Sequence, residues 1–146
     1  MSPLRMLALP AHTRTEVIWR LESDKGLRSI REDLLHHLAS TRGEDPAAIT
    51  TAQTIGLVMT ELAGNALRHG KPPVLVRLLS DDDCHLLLDV SDRAIDRIPR
   101  QPGPQQSLSA GGRGLRIALS VAQAVCWYVD GDVKHVWATF PRQGGR

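Results

Sequence analysis

Aromatic side chains are scarce in this sequence, at 3% of residues, with three tryptophans, one tyrosine and one phenylalanine. So thin a supply of ring faces argues against a stacking platform for single-stranded nucleic acid. Neither charge dominates: 18 Lys and Arg against 16 Asp and Glu leave a formal net charge of +2. A field that weak gives no reason to expect direct binding to nucleic acid or to an anionic membrane surface. Long apolar runs are missing too. The uncharged stretch 117–129 falls well short of the about 20 residues that cross a bilayer. Cysteine is limited to Cys84 and Cys126, far apart and without metal-ligand spacing, so both are expected as small buried hydrophobes. The basic opening 1–10 is too short for the apolar core of a secretion signal and has no cleavage pattern, which makes a reducing cytoplasm the expected compartment. No G-x-x-x-x-G-K-[ST] phosphate loop and no internal repeat occurs.

What is present suits one packed domain over 1–146. Hydrophobic residues make up 42% of 146 and charged residues 23%, and a chain of this size buries roughly two-thirds of its unfolded surface. Val17, Trp19 and Leu21 share one side of an expected strand over 16–21. From Asp24 a helical period places Leu27, Ile30, Leu34, Leu35 and Leu38 together, with Gly43 past the end. A second helix opens with Asp45 as N-cap and Pro46 in its first turn, and closes at Gly70 before Lys71-Pro72-Pro73. Strands are expected over 74–79 and 85–91 around the turn Asp81-Asp82-Asp83, then a helix over 115–124, and a last hairpin around Asp130-Gly131-Asp132. Between them, about 92–113 has loop composition, with Pro99, Pro102, Pro104, Gly111 and Gly112; such a segment is usually a functional lid or a disordered insert. The sum is an α/β two-layer sandwich, a mixed, mostly antiparallel sheet with helices on one face.

Three segments carry candidate chemistry. Glu61, Asn65 and His69, spaced i, i+4 and i+8, share one face of the second helix. A carboxylate and a carboxamide one turn apart can hold a hard cation beside phosphates, although the same spacing also describes an ordinary solvated face. Ser109-Ala110-Gly111-Gly112-Arg113-Gly114-Leu115 precedes a helix start, where free N–H groups and glycine backbone can approach phosphate oxygens. A flexible turn explains it equally. The order rules out a dinucleotide-binding fingerprint, which needs a strand directly before the glycines. Asp92 ends a strand at the mouth of the loop, placed either to accept from an exocyclic amine or to cap its own turn.

In this order the segments resemble the GHKL (Bergerat-fold) ATPase superfamily. The likeness is greatest to bacterial anti-sigma-factor serine kinases, through E-L-x-x-N-A-x-x-H-G, then P-P-V-x-V-R, then G-R-G-L-x-I, and it extends over about 12–141. The resemblance implies a Bergerat ATP-binding fold with ATP and Mg²⁺ as cofactors. It implies that Asn65 coordinates Mg²⁺, Glu61 acts as general base, Asp92 binds the adenine amine, and Gly112, Arg113, Gly114 and Leu115 bind phosphates, with His69 at the end of the same box. A lid over 93–113 is implied as well. The implied activity is a serine/threonine protein kinase that phosphorylates an anti-sigma-factor antagonist of the STAS type and sequesters a sigma factor; homodimers are frequent in the family. One departure stands out: the family's D-x-G reads Asp92-Arg93-Ala94 here, which adds bulk and charge at the base pocket. The alternative is therefore a catalytically weak or inactive partner-binding module of the same fold. A detached histidine-kinase ATPase domain is a further reading, but His36 and His37 lie in the first helix without the acid that usually adjoins a phosphoacceptor.

Overall fold

Strand residues alternate between two faces because successive Cβ atoms point in opposite directions, and each strand here sends its even- or odd-numbered apolar residues to one helix-covered face. The computed structural model describes residues 4–97, 99 and 120–141. The elements in chain order are β1 (Arg5–Met6), β2 (Thr13–Leu21), a short 3-10 turn (Asp24–Gly26), α1 (Leu27–Arg42), α2 (Pro46–His69), β3 (Val74–Asp81), β4 (Leu86–Asp92), β5 (Ala124–Asp130) and β6 (Val133–Phe140). They form one six-stranded sheet in the order β1-β5-β6-β4-β3-β2. Only β1 and β5 pair in parallel; every other pair is antiparallel.

Val76 and Val90 are cross-strand partners, Val90 in turn faces Val136, and Leu88 faces both Leu78 and Ala138. Together with Ile30, Leu34 and Leu38 of α1 and Ile55, Val58, Met59 and Leu62 of α2 they build the main core. The helices supply these residues at the expected 3.6-residue period, which is why both lie on the same face of the sheet. The opposite face carries a smaller cluster of Leu79, Leu87, Cys126 and Trp137, covered in part by Leu9 and Tyr128.

The expected two-layer arrangement is the one observed, with local corrections. Ala124 opens β5 rather than ending a helix, because it pairs with Thr139 across the sheet; Ser120 and Val121 are helical, and the remainder of that expected helix lies outside the described residues. Cys126 is buried but Cys84 is exposed. Cys84 sits in the β3–β4 turn at φ 65°, where Asp81 Oδ1 accepts from the N–H of Asp83 and of His85, both at 2.9 Å. Turn geometry, not local apolarity, sets its exposure. The two-residue strand β1 was not anticipated. No helix among the described residues is long and apolar enough to cross a membrane.

Candidate functional site

Helix α2 positions the first group of residues. Its start is fixed by Asp45, whose side chain accepts from Ala48 N at 2.8 Å, and its end by Gly70, whose N–H donates to Ala66 O at 2.8 Å. Between these caps the burial pattern places Met59, Leu62, Ala63 and Ala66 toward the core, which leaves Glu61 and Asn65 half-buried at the border of that face. Asn65 Oδ1 is buried and has no hydrogen-bond partner among the described residues. An orphaned buried carbonyl costs about 1–3 kcal/mol, so Asn65 Oδ1 is an acceptor still open to a partner beyond the described residues. A carboxamide oxygen is the donor type a hard divalent cation takes.

The C-terminus of α2 abuts the end of β4. A Cβ on Gly70 would stand 2.5 Å from Asp92 Cγ, so helix and strand meet in contact through that glycine. Asp92 is 3% exposed. Its Oδ1 accepts from Ala94 N at 2.7 Å and from Lys71 N at 3.4 Å, while Oδ2 lies 3.5 Å from Lys134 Nζ. Lys134 is its cross-strand partner on β6, and it also donates to Arg97 O at 3.1 Å. Arg93 and Arg97 tie the start of the following loop across both elements. The Arg93 N–H donates to Lys71 O and its guanidinium to Asp132 at 2.6 Å, while Arg97 donates to His69 O at 3.2 Å.

His69, at the last turn of α2, is held below its ordinary value of 6.5 by desolvation first, and then by the positive charges of Arg68, Arg97 and Lys134. Its imidazole is therefore neutral at pH 7. Arg68 on the last turn, Arg97 after β4 and Lys134 on β6 thus gather cationic side chains near the C-terminus of α2, favourable against the helix dipole.

The structure brings Glu61, Asn65, His69 and Asp92 to one region, the C-terminal half of α2 and the end of β4. Gly112, Arg113, Gly114 and Leu115, and most of the expected lid, lie outside the described residues. Lys134 was missed from the sequence. Its signal was available: Lys134, Val136, Ala138 and Phe140 share one strand face, and a single cation in an otherwise apolar series needs a buried partner. On the other sheet face a second polar cluster occurs. Asp89, fully buried, accepts from Arg77 Nε and Nη2 at 3.1 and 3.0 Å and bonds His135 Nδ1 at 3.0 Å, and His135 stacks on Tyr128. This closed network lies away from α2. Among the described residues no group of three or more His, Cys, Asp or Glu is placed to hold a metal by itself.

No protein-family model matches the chain, and no curated protein matches it. Solved structures do. A chain comprising the RsbU and RsbW domains of Rv1364c from Mycobacterium tuberculosis matches with a TM-score of 0.54 and 16% identity, over 87% of this chain and 34% of that one. This chain therefore spans about a third of the length of that structure. A histidine kinase domain from the Erythrobacter litoralis EL346 blue-light activated histidine kinase matches at a TM-score of 0.48 and 20% identity, over 79% of this chain and 60% of that one. The Acinetobacter baumannii histidine kinase AdeS matches at 0.45 and 10%, over 88% and 68%. At such identities the likeness to the RsbU–RsbW chain is one of fold.

Proposed function

We propose that this chain is an ATP-binding regulator of the anti-sigma-factor type, a serine/threonine protein kinase that acts on an anti-sigma-factor antagonist and sequesters a sigma factor. The observation that carries the reading is the orphaned, buried Asn65 Oδ1, one helical turn from Glu61 and on the helix that ends against Asp92. The shared fold with an RsbU–RsbW chain supports it.

The residues divide the work as follows. Asn65 Oδ1 would hold Mg²⁺, which when bound neutralises phosphate charge and orients the terminal phosphoryl group. Glu61 would accept the proton of a seryl hydroxyl on the antagonist as its oxygen approaches the γ-phosphorus, whose bond to the bridging oxygen breaks to release ADP. Asp92 would accept from the exocyclic amine of the base. Gly112, Arg113, Gly114 and Leu115 would supply amides and charge to the phosphates, and the neutral His69 would stand beside them without competing for the metal's charge. Phosphoryl transfer depends mainly on positioning and electrostatics, so this set suffices chemically.

A second reading, a partner-binding module with little catalysis, is favoured by one observation: Asp92 is already paired with Lys134. Calorimetric titration of MgATP tests the first reading. Metal-dependent binding, lost with EDTA and lost in Asn65→Ala while the fold persists, is the expected result. A folded protein that takes up no MgATP at millimolar concentration would leave the partner-binding reading in its place.

A further inference from the structure

The carboxylate assigned to the base has its described contacts entirely within the protein. Asp92 Oδ1 is occupied by two backbone N–H groups, from Ala94 and Lys71. Asp92 Oδ2 is walled by Gly70, where an added Cβ would approach to 2.6 Å, and faces the ammonium of Lys134 at 3.5 Å. Lys134 is only 6% exposed. Its position is not incidental to a wandering side chain. Asp92 and Lys134 are register partners on the helix-covered face of adjacent strands, and a hydrogen bond from Nζ to Arg97 O fixes the ammonium there.

We propose that Lys134 is an internal competitor for the base subsite and sets how weakly adenine is accepted. The inference rests on the nucleotide reading of Asp92. A charged ammonium and a neutral exocyclic amine compete for the same carboxylate, and the ion pair with the ammonium carries a full charge whose attraction is stronger away from water. Adenine must therefore share or displace a donor it cannot match. Displacement also strips Arg97 O of its partner and leaves a lysine to be rehydrated. Without Lys134, Asp92 Oδ2 loses its cationic neighbour, and the amine of the base becomes the donor that satisfies it.

Two probes separate this inference from the reading beneath it: adenosine, which has a base and no phosphate, and Mg²⁺-tripolyphosphate, which has phosphates and no base. Binding is measured by calorimetry to the parent protein, Lys134→Met and Lys134→Gln, with the fold checked by circular dichroism. Glutamine keeps a donor for Arg97 O and carries the test if the methionine variant does not fold. Both variants are expected to bind adenosine about tenfold or more tighter than the parent, the scale of one hydrogen bond to a charged acceptor. Mg²⁺-tripolyphosphate is expected to bind all three alike. Adding Asp92→Asn to Lys134→Gln should abolish the gain. Adenosine affinity that is unchanged or weaker in the variants, while Mg²⁺-tripolyphosphate still binds, overturns the role of Lys134 and leaves the nucleotide reading standing. A gain that survives Asp92→Asn also overturns it. Binding of neither probe by any of the folded proteins removes the nucleotide reading, and this inference with it.

Discussion

Glu16 shows how a single misaligned residue acquires a role. The β2–β3 register slips between Thr15 and Val17, and a bulge of this kind re-aims the extra side chain. Glu16 then accepts from Arg42 Nη1 and Nη2, both at 2.6 Å, and bonds His37 Nε2 at 2.8 Å, joining the edge strand to the end of α1. The two hydrogen bonds from Arg42 are the chief reason its carboxyl falls from 4.5 to about 2, against the opposing effect of burial and with help from His37. A carboxyl depressed on folding stabilises the native state at pH values above 4.5, and that stabilisation is lost as pH falls from 4.5 toward 2. Glu16→Gln is expected to lower the unfolding free energy at pH 7 by about 2–3 kcal/mol. Urea unfolding of both proteins between pH 7 and pH 3 should show the gap narrowing on the acid side; a constant gap would assign the loss to packing instead.

At the scale of elements, α2 is the piece on which the candidate site depends, and its boundaries were legible in the sequence because capping is local chemistry. Asp45 and Pro46 mark the start and Gly70 the end, as expected from residue type alone. The reason for glycine at position 70 was only half visible. Its φ of −93° is open to any residue, and the constraint is instead steric. A Cβ would lie 2.6 Å from Ala66 O and 2.5 Å from Asp92 Cγ. Gly70→Ala should therefore destabilise by about 1–3 kcal/mol through overpacking. Chemical denaturation measures the effect; a stability equal to the parent's would show that Asp92 yields to the added methyl without cost. β1 escaped the sequence because two residues carry no period, and its pairing with Cys126 and Trp127 spans most of the chain. Ala124 was misassigned for a related reason. An alanine continues a helical run as readily as it begins a strand, and only pairing with Thr139 decides.

Over the whole molecule, the N-terminal segment fastens both sides of the sheet's far edge. Trp127 Nε1 donates to Leu4 O at 3.1 Å, Trp137 Nε1 donates to Leu7 O at 2.8 Å, and Leu7 N donates to Trp127 O at 2.9 Å. Leu4 is itself a core residue, and Leu9 packs on the second apolar cluster. A protein lacking residues 1–9 is expected to lose about 2–5 kcal/mol, the range for deleting one buried leucine. Its tryptophan emission should shift to longer wavelength as two indoles lose their acceptors and meet water. Retention of the parent's emission maximum and melting temperature would show that the sheet closes without this segment.

By itself the sequence determined the periodic and punctuated features: two amphipathic helices, two hairpins, the caps of α2, and the Glu61, Asn65 and His69 face. These follow from near-neighbour rules, in which side-chain period and capping chemistry act over a few residues. Only the tertiary structure decided which polar atoms meet across the sheet. It left Asn65 Oδ1 without a partner among the described residues, pressed Gly70 on Asp92, and set Lys134 opposite that carboxylate. Register places residues 42 positions apart at hydrogen-bonding range, and no local pattern encodes it.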